Sequence, residues 1–258
     1  MVVAGPLKLV TLDVTNTILQ FRVPPWKYYA TVAKKYGYLS EGDELEKPLF
    51  ANMKQMGKQH PNFGRCSIEY IEWWKNVVRL TLYPKFPDLC SVENSATELI
   101  HDFATEKCWV LSKGANSLLC SLHSHKLCVG VISNYDPRLV DILKDMRIYN
   151  CFHFILPSYF AGYMKPDKRI FEMAQQSGER YLQCPLKPSE CLHIGDDLEK
   201  DYWGAKNAGW HALLLKTKCT PCGLVPASAE HIMNSLDDIE IVLFLYFGIW
   251  LTNFFCLS

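Results

Sequence analysis

The chain has 258 residues, with Lys+Arg and Asp+Glu both at 27, so no net field exists to draw nucleic acid or an acidic membrane. A hydrophobic fraction of 49% and a charged fraction of 21% are those of a globular protein, and the length allows one domain plus a smaller insertion. The eleven cysteines are scattered and no signal peptide precedes Lys8-Leu9-Val10-Thr11-Leu12, so reduced thiols in a soluble, intracellular protein of cytoplasm or nucleus are expected.

Residues 7–12 form a short apolar run, the pattern of a buried parallel strand, and the run stops at Asp13. From Phe21 to Cys108 the character changes. Segments 26–36, 68–82 and 95–103 mix aromatic, apolar and charged residues at near-helical spacing. Pro61-Asn62-Phe63-Gly64 and Pro84-Lys85-Phe86-Pro87 interrupt them, so 21–108 reads as a helical insertion.

Beyond it the chain alternates. Helix 114–125 leads to strand 127–132, and helix 137–146, with Pro137 in its first turn, leads to strand 151–156. Helix 168–177, strand 191–194, helix 198–208 closed by Gly209, and strand 210–215 follow. Repeated strand–helix alternation predicts a parallel sheet with right-handed crossovers. The expected fold is therefore α/β: a Rossmann-like parallel sheet flanked by helices, formed by 1–20 and 109–240, with a helical cap inserted after the first strand at 21–108.

Two later segments stand apart. Cys219-Thr220-Pro221-Cys222 is a tight cysteine pair, but a structural zinc needs four ligands and no second C-x-x-C follows, so a Pro/Gly-rich loop is expected. Residues 241–258 carry no charge and just reach the roughly 18 residues of a minimal membrane span. No basic anchor follows, and Gly248, Thr252, Asn253 and Ser258 dilute the run, which favours an apolar tail that packs on the core or pairs subunits over a membrane anchor.

In parallel α/β sheets the ligand crevice lies beyond the carboxyl ends of the strands. Asp13, Ser133 and Asp196 each follow an apolar strand. If the first and fourth core strands are neighbours, Asp13 and Asp196 converge, with Asp197 and Asp201 close by. Two carboxylates about 4 Å apart repel by roughly 4 kcal/mol at an effective dielectric of 20. Such a cluster calls for a cation, and hard oxygen ligands suit Mg²⁺. Lys165, before Pro166, adds a fixed positive charge, and Ser133-Asn134 before a helix offers a hydroxyl and amides to phosphate oxygens.

Each feature alone has an ordinary explanation. An Asp after a strand is often a turn former, Ser133-Asn134 an N-cap region, and Lys165-Pro166-Asp167 a surface turn. Their order, each at a strand end or the loop after it, makes the case for a site. Tyr28, Tyr29, Trp73 and Trp74 are better read as packing within the helical insertion than as a substrate pocket. His123 and His125, two apart on a helix, face different ways and share no metal.

Leu12-Asp13-Val14-Thr15-Asn16-Thr17, Val131-Ile132-Ser133-Asn134, Lys165-Pro166-Asp167 and Ile194-Gly195-Asp196-Asp197-Leu198-Glu199-Lys200-Asp201 together resemble the four motifs of the haloacid dehalogenase-like hydrolase superfamily. The resemblance spans about 7–240. It implies a hydrolase acting on a small phosphorylated molecule, with Asp13 as nucleophile forming an aspartyl-phosphate. It also implies Mg²⁺ held by Asp13, Asp196 and the backbone carbonyl of Thr15. Ser133, Asn134 and Lys165 would bind and neutralise the transferred group, and Asp201, with Asp197, would support from behind.

Two positions depart from the family pattern. Asn16 stands where glycine is usual, and asparagine tolerates left-handed backbone. Thr15 stands where the family's phosphatases carry a general-acid aspartate, worth roughly 10²–10⁴-fold. The resemblance then implies a phosphatase weakened at that step, with a catalytically silent binding protein as the alternative. Dehalogenation of a 2-haloacid fits less well, since it leaves the acidic cluster without a purpose. A homodimer is compatible with the tail.

Overall fold

A computed structural model describes residues 6–39, 41–83, 85–86, 88–216 and 229–247. The Cys219/Cys222 pair and residues 248–258 of the apolar tail lie outside the described residues.

In chain order the elements are β1 (Leu9–Leu12), β2 (Leu19–Phe21), α1 (Pro25–Lys34), α2 (Glu46–Gln59), α3 (Tyr70–Leu82), α4 (Leu89–Asp102) and β3 (Trp109–Leu111). There follow α5 (Ala115–Ser124), β4 (Cys128–Ser133), α6 (Leu139–Asp145), β5 (Phe154–Pro157), α7 (Ser158–Ala161), α8 (Lys168–Leu182) and β6 (Cys191–Gly195). A π-helical turn (Leu198–Trp203), α9 (Gly204–Asn207), β7 (His211–Leu215), β8 (Ile232–Met233) and α10 (Leu236–Phe247) complete the described chain.

The chain divides into two compact units, one of Met1–Gln20, Leu111–Asn134 and Ile148–Ser258, the other of Phe21–Val110 and Tyr135–Arg147. The first is built on a six-stranded sheet in the order β5-β4-β1-β6-β7-β8, with parallel pairing throughout. The fold is the expected α/β arrangement. β1 is central, and both of its faces are covered, which is why Leu-Val-Thr-Leu reads as a continuous run with no alternation. Helix α8 buries Ile170, Phe171, Ala174 and Gly178, a stripe at helical spacing, and Asp167 caps its first turn by accepting from the amide of Arg169.

Several boundaries differ from the expected ones. Strand β5 begins at Phe154, because Tyr149–Cys151 forms a 3₁₀ turn ahead of it. The helix expected over 198–208 opens as a π turn: the amides of Asp201 and Tyr202 both reach the carbonyl of Asp197, at 2.9 and 3.2 Å. The first part of the apolar tail belongs to α10, which buries Ile239 and Leu243 and leaves Ile241 and Leu245 exposed. That helix is tied to α5 by a 3.0 Å hydrogen bond from the Ser117 hydroxyl to Glu240. Among the described residues no helix is long and apolar enough to cross a membrane, and eight cysteines are free.

The second unit packs α1–α4 around Tyr29, Val32, Leu49, Trp73, Val77 and Leu99. Tyr28 and Trp74 are partly buried against that core, in line with aromatic packing. Phe63 holds a left-handed backbone (φ 57°), unusual for a bulky residue, with its ring against Trp73 and Trp74 at 5.4 and 6.2 Å. Tyr135–Arg147, placed with 109–240 on sequence grounds, groups with this unit. Its anchor is a buried ion pair, Arg138–Asp136 at 2.7 Å, to which the Trp74 indole donates at 2.7 Å.

Candidate active site

The parallel register sets the carboxyl ends of three adjacent strands side by side. Leu12 of β1 lies opposite Val131 of β4 and Ile194 of β6, so Asp13 follows its strand directly, while Ser133 and Asp196 come two residues after their paired positions. The Asp13 amide donates to the Ile194 carbonyl at 2.9 Å, and Asp13 and Ser133 are buried. After Asp13 the chain turns sharply: Asn16 takes a left-handed conformation (φ 59°) and its amide donates to the Leu19 carbonyl at 2.7 Å. Asparagine therefore does what glycine would do here. Thr15 sits in this turn, half-buried.

Lys165 arrives from the loop before α8 and is fully committed. Its ammonium, with three donors, reaches Asp13 Oδ1 at 2.7 Å, Asp201 Oδ1 at 2.6 Å and the Ile132 carbonyl at 2.8 Å. Burial alone would lower the Lys165 pKa, but the Asp13 and Asp201 carboxylates outweigh it and hold the ammonium charged. The loop that carries it is held by Asn134, whose side-chain amide accepts from the Lys165 amide at 2.7 Å and donates to its carbonyl at 2.9 Å. Both ends of the Asn134 side chain are thus occupied in placing Lys165.

The acidic side of the site is crowded. Asp13, Asp196 and Asp201 each offer a carboxylate oxygen within 4.8 Å of the others. Asp201 is not open: its Oδ1 accepts from Lys165 and, at 3.1 Å, from His193 Nε2, and its Oδ2 accepts from the Asp197 amide at 2.9 Å. Burial would raise its pKa, yet Lys165 and His193 hold it below the ordinary carboxylate value. Gly195 makes room for it, since a Cβ there would lie 2.2 Å from the Asp201 carboxyl carbon. Asp197 points elsewhere: its Oδ1 accepts from the amides of Glu199 and Lys200, at 3.0 and 2.9 Å, and caps the π turn.

Asp13 and Asp196 are left as the open pair. Burial, then repulsion from Asp13 and Asp201, pushes Asp196 up to about 7, although the Asn16 side chain hydrogen-bonds it. Burial and Asp201 raise Asp13 in the same way, against the pull of Lys165. One ammonium facing three carboxylates leaves a buried site short of positive charge. A hard divalent cation fits that deficit and that all-oxygen donor set.

Two residues of the cluster were not singled out from the sequence. His193, in β6, and Thr11, in β1, stand opposite each other in register, and Thr11 Oγ1 lies 2.8 Å from His193 Nδ1. Both are fully buried. The available signal was a lone polar residue in each of two otherwise apolar central strands.

Residues 7–209, more than half of the chain, match a family model described as a haloacid dehalogenase-like hydrolase. The rhythmically expressed gene 2 protein of Drosophila melanogaster is 37% identical over 82% of this chain and 84% of its own. Haloacid dehalogenase-like hydrolase domain-containing protein 3 of Bos taurus is 32% identical over 91% and 95%. Among solved structures, a HAD phosphatase from Thermococcus onnurineus superposes with a TM-score of 0.62 at 18% identity, covering 92% of this chain and 98% of its own. A 2-haloacid dehalogenase from Pseudomonas syringae gives 0.63 at 19%, over 92% and 98%. At that identity the two structures speak for the shared fold.

Proposed function

Since the chain belongs to the haloacid dehalogenase-like hydrolase family, we propose that it is a Mg²⁺-dependent phosphatase that hydrolyses a small phosphorylated metabolite through Asp13. The observation that carries this reading is the geometry of Asp13: one oxygen is fixed by Lys165 at 2.7 Å, and the Asp196 carboxylate stands beside it. With the Lys165 ammonium and a divalent cation both beside it, the Asp13 carboxylate would stay ionised and could approach an anionic phosphoryl group. Ser133, buried at the end of β4, would orient the phosphoryl oxygens, and the Lys165 charge beside Asp13 would offset theirs. Mg²⁺, held by Asp13, Asp196 and the Thr15 carbonyl, would offset the negative charge of nucleophile and substrate.

An Asp13 oxygen forms a bond to phosphorus as the bond to the ester oxygen breaks, and that oxygen departs with its electron pair. Water then cleaves the aspartyl-phosphate, releasing inorganic phosphate and restoring the carboxylate. The departing oxygen needs a proton, and the Thr15 hydroxyl is no donor near neutral pH. Turnover should therefore follow the acidity of the leaving alcohol, with aryl esters ahead of alkyl esters.

The test is phosphate release from a panel of aryl and alkyl phosphates with Mg²⁺, for the native chain and Asp13→Asn. Hydrolysis by the native chain alone, fastest on aryl esters, is expected. Equal rates for the two proteins, or native activity that survives chelation of Mg²⁺, would overturn the proposal.

A further inference from the structure

Behind the open carboxylates runs a buried chain of side chains: Thr11, His193, Asp201, Lys165 and finally Asp13. We infer that His193 is a positioning residue, which acts through Asp201 to hold the Lys165 ammonium against Asp13. The inference deepens the phosphatase reading and rests on it for its kinetic effect.

The hydrogen-bond inventory fixes the form of the imidazole. Asp201 is an ionised carboxylate and can only accept, so His193 Nε2, 3.1 Å from its Oδ1, carries a proton. Burial, and then the Lys165 charge, favour the neutral ring, against the opposing pull of Asp201. On the other side Thr11 Oγ1 lies 2.8 Å from Nδ1 and 3.4 Å from the Leu192 carbonyl; in a neutral ring protonated at Nε2, Nδ1 offers only a lone pair, so the Thr11 hydroxyl donates to it. His193 is therefore the neutral Nε2–H tautomer.

A neutral donor is what this position requires. Asp201 Oδ1 already takes the Lys165 ammonium at 2.6 Å, and a second cation behind it would weaken that pairing. With His193 and the Asp197 amide each holding one of its oxygens, Asp201 cannot swing toward Asp196, and the Lys165 ammonium stays within 2.7 Å of Asp13. The same logic governs histidine ligands held by outer partners, where loss of the outer group typically costs about 10- to 100-fold in activity.

Four forms of the full-length chain test this: native, His193→Gln, His193→Leu and Thr11→Val. His193→Leu should lower kcat on an aryl phosphate roughly 10- to 100-fold with KM little changed. Gln, whose amide can donate to Asp201 and accept from Thr11, should recover most of that loss. Thr11→Val, nearly isosteric, should move kcat the same way by a smaller factor. Unfolding curves confirm that each variant is folded. A folded His193→Leu with native kcat, or a Gln variant no better than Leu, overturns the role. Independently, ¹⁵N NMR of the native imidazole should show the neutral Nε2–H tautomer, with an Nδ1 resonance that moves in Thr11→Val. An imidazolium or an Nδ1–H tautomer overturns the proposal whatever the kinetics. If the native chain hydrolyses no phosphate, the phosphatase reading fails, and the tautomer then decides whether the chain of contacts holds.

Discussion

Asp196 is held by the fold at a cost, and removing its charge should stabilise the protein while destroying its chemistry. Burial, followed by repulsion from Asp13 and Asp201, lifts its pKa from 3.8 to about 7. A carboxyl raised in this way favours the folded state when protonated. Its contribution is complete below about pH 4 and is lost as the pH climbs toward the folded-state value. The rise sets a ceiling of roughly 4 kcal/mol at about 1.4 kcal/mol per pH unit. The side chain is partly exposed, and solvent screening brings the expected cost to about 1–3 kcal/mol. Asp196→Asn keeps the shape and cannot ionise. In urea denaturation without Mg²⁺ the variant should exceed the native chain by that amount at about pH 8, and the gap should close toward pH 4. Added Mg²⁺ should stabilise the native chain through binding and leave the variant nearly unmoved. A variant less stable than native at pH 8, or a gap of equal size at both pH values, would refute the reasoning.

Thr15→Asp restores a proton donor to the nucleophile's turn and should raise alkyl phosphate turnover by about 10²-fold or more, with aryl esters little changed; no gain in the folded variant would contradict the role given to Thr15. Gly195→Ala drives a Cβ to 2.2 Å from the Asp201 carboxyl carbon, so it should cost about 1–3 kcal/mol in chemical denaturation and reduce turnover as Asp201 is displaced. Arg138→Met leaves Asp136 buried without its ion-pair partner and should destabilise the chain by about 3–5 kcal/mol, read from urea unfolding; a loss under 1 kcal/mol would mean that the pair is dispensable.

The sheet was legible because its strands are buried on both faces. Apolar runs such as those at 7–12 and 191–194 have no other reading once helices alternate with them. The convergence of Asp13 and Asp196 was legible for the same reason, since both mark where those runs stop. What escaped the sequence were effects of three-dimensional neighbours. The π turn after Asp197 looks helical in spacing, and only the two amides sharing one carbonyl reveal its wider pitch. The short pairing of β2 with β3 involves three residues on each side, too few to show a period. Tyr135–Arg147 has the helical pattern expected of it, but the Asp136–Arg138–Trp74 contacts that group it with the helical unit leave no mark in periodicity. His193 and Thr11 are single polar residues inside strands, and their meaning appears only when the register sets them face to face.

Whether Asp13 accepts a phosphoryl group is read most directly by beryllofluoride capture with Mg²⁺, followed by ¹⁹F NMR on the native chain and Asp13→Asn. Bound fluorine resonances that require Mg²⁺ should arise from the native chain and be absent from the variant. Identical spectra from both proteins, with or without the bound signals, would contradict the assignment of Asp13 as nucleophile.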